Sequence, residues 1–104
     1  MLAAVIGFTA ALTASASDGK AIWDQQCAKC HGADGKGQTN IGKHLGCKDY
    51  SDAKVQDALT DAAAIKSIKE GVKNSDGRTV MKAYDGLSAD DATAVVAYLR
   101  TLKK

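Results

Sequence analysis

Cys27-Ala28-Lys29-Cys30-His31 constrains this chain more than any other stretch. Residues three apart on a helix share a face, so both thiols project from one turn, with an imidazole directly after them. Such a thiol pair can add to the two vinyl groups along one edge of a haem, while the histidine reaches the iron. The spacing therefore predicts covalent haem attachment through Cys27 and Cys30, with His31 as an iron ligand. Two other chemistries share the motif. A structural zinc site needs four ligands, and the remaining candidates are His44 and Cys47, which do not form a second close pair. A thioredoxin-like enzyme sets its cysteines beside an alternating strand and helix pattern, and no strand-period run precedes Cys27.

The flanking residues narrow the choice. Gly32 extends the motif into the glycine-rich Ala33-Asp34-Gly35-Lys36-Gly37. Met81 stands three residues ahead of Tyr84, and Gly86-Leu87-Ser88 opens a terminal helix that ends in Ala97-Tyr98-Leu99-Arg100. With these features the chain from Asp18 to Lys104 resembles the small mono-haem class I c-type cytochromes. The resemblance implies an all-α cytochrome c fold, with three to five helices around one covalently attached haem c. It implies iron held between His31 and Met81, a thioether being a suitable soft ligand opposite imidazole. It also implies that a backbone carbonyl holds the second ring nitrogen of His31, and that place falls on Lys43, ahead of Leu45. The haem-binding set implied is therefore Cys27, Cys30, His31, Met81, Lys43 and Leu45. Two departures stand out, since the chain contains no proline: Lys43 and Lys82 occupy positions where the family usually has one.

Residues 1–16 carry no charge, are apolar to about Leu12, and end in Ala14-Ser15-Ala16, the small-x-small pattern of a signal-peptidase site. They read as a signal peptide, either cleaved or retained as a short anchor, ahead of a cytochrome c domain at 17–104. A basic residue is missing from the start of the segment, and an apolar run this short spans a bilayer poorly. A periplasmic or otherwise extracytoplasmic location follows, and membrane association is expected only if the segment is retained. Cleavage would leave a short mature domain whose thin core needs a large apolar body to close around, so the apo-protein is expected to be largely unfolded.

Taken in order, Ser17 or Asp18 should cap a helix running to about Cys30, in which Gly19, Trp23, Cys27 and Cys30 form one stripe. The resemblance implies that Gly19 and Trp23 meet Val95 and Tyr98 of the terminal helix. Residues 32–50, with five glycines and no periodicity, read as an irregular loop. Two short helices should follow, one carrying Val55, Ala58 and Leu59, the other Ile65, Ile68 and Val72 with Gly71 near its stop. Residues 73–87 read as a loop containing Met81. Ser88, with Asp91 as a short capping-box partner, should start a last helix that buries Ala92, Val95, Val96, Leu99 and Leu102. His44 reads as a surface residue, and Cys47 is left without a role.

The formal charge of +2 gives no polybasic patch, so neither nucleic acid nor an acidic membrane surface is an expected partner. The expectation is a monomeric one-electron carrier that works between redox partner proteins and is not an enzyme. Lys29 and Lys82 should border the docking edge and favour an acidic partner. Two rivals remain open: a haem subunit of a larger oxidoreductase, and an open-site haem enzyme or gas sensor in which Met81 is not bound.

Overall fold

Asp18 starts the first helix as the spacing predicts, its carboxylate accepting from the Ala21 amide 3.1 Å away. The computed structural model describes residues 17–104, so the signal-peptide reading of residues 1–16 lies outside the described residues. In place of one straight α-helix to Cys30 there are three joined pieces: α1 (Gly19–Ile22), a π-helical turn (Trp23–Cys27) and α2 (Ala28–His31). In the π turn the Ala28 amide reaches back to the Trp23 carbonyl, one residue further than an α-helix would. The extra residue resets the phase of the helix between Trp23 and the second cysteine, which an i, i+4 stripe does not foresee.

The 32–50 stretch is not wholly irregular. It contains α3 (Asn40–Leu45), capped by the Thr39 hydroxyl, which accepts from the Gly42 amide at 2.8 Å. Six residues with two glycines close by are too few to show helical periodicity, so only the cap advertised it. Next come the two short helices expected there, α4 (Ala53–Ala58), capped by Asp52, and α5 (Asp61–Glu70), capped by Thr60. Gly71 stops α5 with a positive φ of 76°, so Val72 leaves the helical stripe and enters a strand. The predicted 73–87 loop is in part a hairpin, with β1 (Val72–Lys73) antiparallel to β2 (Thr79–Met81) and Val72 opposite Met81. Asn74 shapes its turn by accepting from the Asp76 and Arg78 amides. The terminal helix α6 (Ala89–Thr101) has the predicted cap, with both bonds of the Ser88–Asp91 box present.

The ends of the chain clasp each other. A Cβ on Gly19 would lie 2.1 Å from the Ala94 carbonyl oxygen and 3.2 Å from the Val95 nitrogen, so only glycine lets α1 reach the α6 backbone. Trp23 sits below, 2% exposed, with its ring centroid 6.0 Å from that of Tyr98. Cys27, Ala64, Ile68, Ala92, Val95, Val96 and Leu99 complete the buried core, and Leu102 is half-buried against it. On α4 the sequence misplaces the inner face: Ala58 is exposed and Gln56 is buried. The Gln56 amide donates to the carbonyls of Tyr50 and Leu99, and its oxygen accepts from Arg100 at 2.9 Å. Arg100 also donates to the Gln56 and Leu59 carbonyls and to Asp61, so every side-chain polar atom of Gln56 and Arg100 is partnered. Among the described residues no helix is long and apolar enough to cross a membrane.

Candidate functional site

Cys27 and Cys30 are free thiols, the first buried at the end of the π turn and the second half-buried in α2. Burial, and then the neighbouring Cys30 charge, push the Cys27 thiol up to about 11, so it stays protonated at neutral pH. An attacking thiol of the thioredoxin kind needs a depressed pKa, so the thiol-disulfide reading fails here. The zinc reading fails as well: among the described residues no three His, Cys, Asp or Glu side chains come together to hold a metal ion. His44 is exposed on α3, as expected.

His31 closes α2. Its ring lies between Trp23, with centroids 5.5 Å apart, and Tyr50, 5.7 Å apart. Burial lowers its pKa, which keeps the imidazole neutral and its lone pair available to a metal. The Nδ1 atom is buried without a hydrogen-bond partner. The expected bond to the Lys43 carbonyl is therefore not made. Lys43 is exposed at the C-terminal end of α3, Leu45 is half-buried beside it, and without a proline ring at Lys43 the helix continues through that position.

Trp23, in a role the sequence did not give it, and Thr39 and Gly42, which the sequence did not single out, hold the end of α2. The Trp23 indole donates to the buried Gly32 carbonyl at 2.9 Å, and the Thr39 hydroxyl donates to the Cys30 carbonyl at 2.6 Å. Gly42 lets α3 press against that carbonyl, since a Cβ there would fall 2.3 Å from it. A cap residue followed three positions later by glycine was the available signal. Tyr50 is pinned at both ends of its peptide unit, its amide donating to Gly35 and its carbonyl accepting from Gln56.

Met81 ends β2 and packs half-buried against the core. Three residues on, the Tyr84 hydroxyl donates to the Gln26 carbonyl at 2.9 Å, tying the methionine segment to the turn that carries Cys27. Burial and then the Cys27 and Cys30 charges raise the Tyr84 phenol, which therefore remains a donor. The donor set is thus two free thiols three residues apart, of which Cys27 stays protonated, a neutral imidazole beside them and a thioether packed against the core. That chemistry fits a covalently attached haem.

The comparisons with known proteins agree. The family model for cytochrome c matches residues 16–103. A curated relative, cytochrome c-554(547) of Halothiobacillus neapolitanus, is 31% identical over 93 residues, which span 85% of this chain and 97% of the relative. Among solved structures, the KustC0563 c-type cytochrome superposes with a TM-score of 0.73 at 31% identity, covering 84% of this chain and 99% of its own. The chain belongs to the cytochrome c family, as a c-type cytochrome of class I. Membership carries with it a covalently bound haem c.

Proposed function

We propose that this cytochrome is a one-electron carrier and not an enzyme, with haem joined to Cys27 and Cys30 and its iron held between His31 and Met81. The observation that carries the reading is that the Cys27 thiol and the Met81 thioether pack on one core while the neutral His31 imidazole lies against Trp23 of that core. Cys27 and Cys30 would hold the haem through two thioether bonds, thiol addition to a vinyl group needing no oxidant. His31 offers a lone pair because burial keeps it uncharged, and the Trp23 and Tyr50 rings restrict its plane. Met81 is presented by its pairing with Val72. Bound there, haem would supply a one-electron redox couple, and ligation by His31 and Met81 would favour a higher potential than two imidazoles.

Lys29 and Lys82 are both exposed. Flanking the thioether edge and the distal segment, they favour acidic redox partners by speeding encounter. An extracytoplasmic location, with residues 1–16 as leader, belongs to the same reading. The experiment is Met81→Ala in the holo-protein. The ferric near-infrared charge-transfer band of a thioether ligand should vanish, the potential should fall, and carbon monoxide should bind the ferrous form. An unchanged spectrum and potential would show that another residue ligates the iron.

A further inference from the structure

A segment that carries an axial ligand must resist swinging away from the haem, and proline next to the ligand is one source of that stiffness. This chain has no proline, and Lys82 follows Met81. Upstream, Met81 is held by its register with Val72 in the β1–β2 ribbon. The turn before β1 lies flat on the same segment: a Cβ on Gly71 would come 2.6 Å from the Met81 carbonyl oxygen and 2.9 Å from the Ala83 nitrogen.

Downstream, Tyr84 makes both long-range hydrogen bonds of residues 82–87. The Tyr84 amide donates to the Ile68 carbonyl on α5 at 2.8 Å, and its carbonyl accepts from the Leu87 amide at 3.1 Å. Its hydroxyl crosses to the Gln26 carbonyl, 58 positions away in sequence and next to Cys27. The Lys82 ammonium lies 5.0 Å from the centre of its ring, an attractive placement for a cation over an aromatic face. Gln26 and residues 82–87 together line a surface hollow of about 300 Å³, while the Tyr84 and Leu87 side chains are half-buried against the core, so the hydroxyl bond closes one side of that hollow.

We propose that Tyr84 is a positioning residue for Met81: its hydroxyl, bound to the Gln26 carbonyl and steadied by Lys82, straps the methionine segment to the turn bearing Cys27 and replaces the missing proline. The inference rests on Met81 being the iron ligand. Lifting of residues 82–87 away from the helix end would let the Met81 side chain withdraw more easily, and the hydroxyl bond to Gln26 resists that movement. Phenylalanine at this position keeps the ring, the cation contact and the backbone bonds, and removes only that bond.

The test is imidazole binding to the ferric holo-protein, followed as loss of the near-infrared thioether band. It compares the parent, Tyr84→Phe, Lys82→Gln, Met81→Ala and, as a control for general loosening, Arg100→Gln, which disturbs the α4–α6 polar cluster instead. Tyr84→Phe should speed binding about fivefold, the factor expected for one lost hydrogen bond. Lys82→Gln should speed it by a smaller factor. Arg100→Gln should lower the melting temperature while its imidazole kinetics stay at the parental rate. If Tyr84→Phe behaves as the parent, or no differently from Arg100→Gln, while Met81→Ala opens the iron, the strap is refuted and the ligand assignment stands. If Met81→Ala itself leaves the band and kinetics unchanged, both fall.

Discussion

Gly19→Ala sets two opposed effects against each other, and the structure decides the sign. On an exposed helix this change adds up to about 1 kcal/mol, because glycine has more backbone freedom to lose. At Gly19 the new methyl would stand 2.1 Å from the Ala94 carbonyl oxygen and 2.6 Å from its carbon. Both are backbone atoms inside α6 and cannot rotate away, so the helices must part by roughly 1 Å to restore normal contact. The parting would fall beside Trp23 and Val95, each only 2% exposed, where packing is tightest. Overpacking of this kind costs about 1–3 kcal/mol, and the gain in propensity at the first helical residue is too small to cancel it. For a domain of this size that is a fall in melting temperature of roughly 5–20 °C. Gly86→Ala is the matched control: nothing lies within 4 Å of a Cβ there and its φ is not positive, so it should be neutral or stabilise by up to about 1 kcal/mol. Thermal unfolding of both holo-proteins at equal haem content, followed by far-ultraviolet circular dichroism, makes the comparison. If Gly19→Ala melts at or above the parent, the close approach of α1 and α6 is wrong.

A Cys27→Ala, Cys30→Ala double variant should accumulate little folded protein, since the core is expected to close around the haem; a stable, haem-free fold in normal yield would contradict this. Asp91 is held below the usual carboxylate range by the Ser17 hydroxyl, then by the Ser88 amide and hydroxyl. Its contribution is therefore present above its unfolded pKa of about 4 and lost as pH falls through the lower folded value. Asp91→Asn should accordingly melt below the parent at pH 7, with the gap narrowing toward pH 2, and a gap that does not change with pH would remove the cap charge as its cause. For docking, Lys29→Glu with Lys82→Glu should slow electron transfer to an acidic partner more than Lys66→Glu with Lys69→Glu, in a salt-dependent manner. Equal slowing in the two pairs would take the docking role away from Lys29 and Lys82.

Much of the fold is legible because its signals are local. Asp18, Asp52, Thr60 and Ser88 each cap a helix as their side chains and position suggest, and Gly71 stops α5. The clasp of Gly19 and Trp23 with α6 is legible only through family resemblance, because spacing alone does not say which faces meet. The hidden features depend on partners distant in sequence. Nothing in Trp23-Asp24-Gln25-Gln26-Cys27 distinguishes a π turn from an α turn, since both have the same composition and differ in which carbonyl the Ala28 amide selects. Gln56 reads as a solvated residue until Tyr50, Leu99 and Arg100 close around it, 43 and 44 positions away in the latter two cases. The hairpin at Met81 is two and three residues long, below the length at which alternation can be read.

The site shows the same division between chemistry and support. The donor set, Cys27, Cys30, His31 and Met81, is visible as residue types at given spacings, because thiol, imidazole and thioether chemistry belong to the side chains themselves. What holds those groups does not transfer with the motif. Where the family usually has a proline, Lys43 leaves α3 continuous and its carbonyl does not reach His31, whose Nδ1 stays unpartnered between two aromatic rings. Hydrogen bonding to the far nitrogen of an axial histidine raises its basicity, so its loss should make the imidazole a weaker donor to iron and raise the potential. Lys43→Pro probes this: it removes the Lys43 amide that donates to the Thr39 carbonyl and so opens the first turn of α3, and if position 43 then turns its carbonyl toward Nδ1 the potential should fall and the hyperfine-shifted proton resonances of His31 should move. A potential unchanged by Lys43→Pro, in a protein that still folds and binds haem, would show that the ring packing of Trp23 and Tyr50 alone governs how His31 meets the iron.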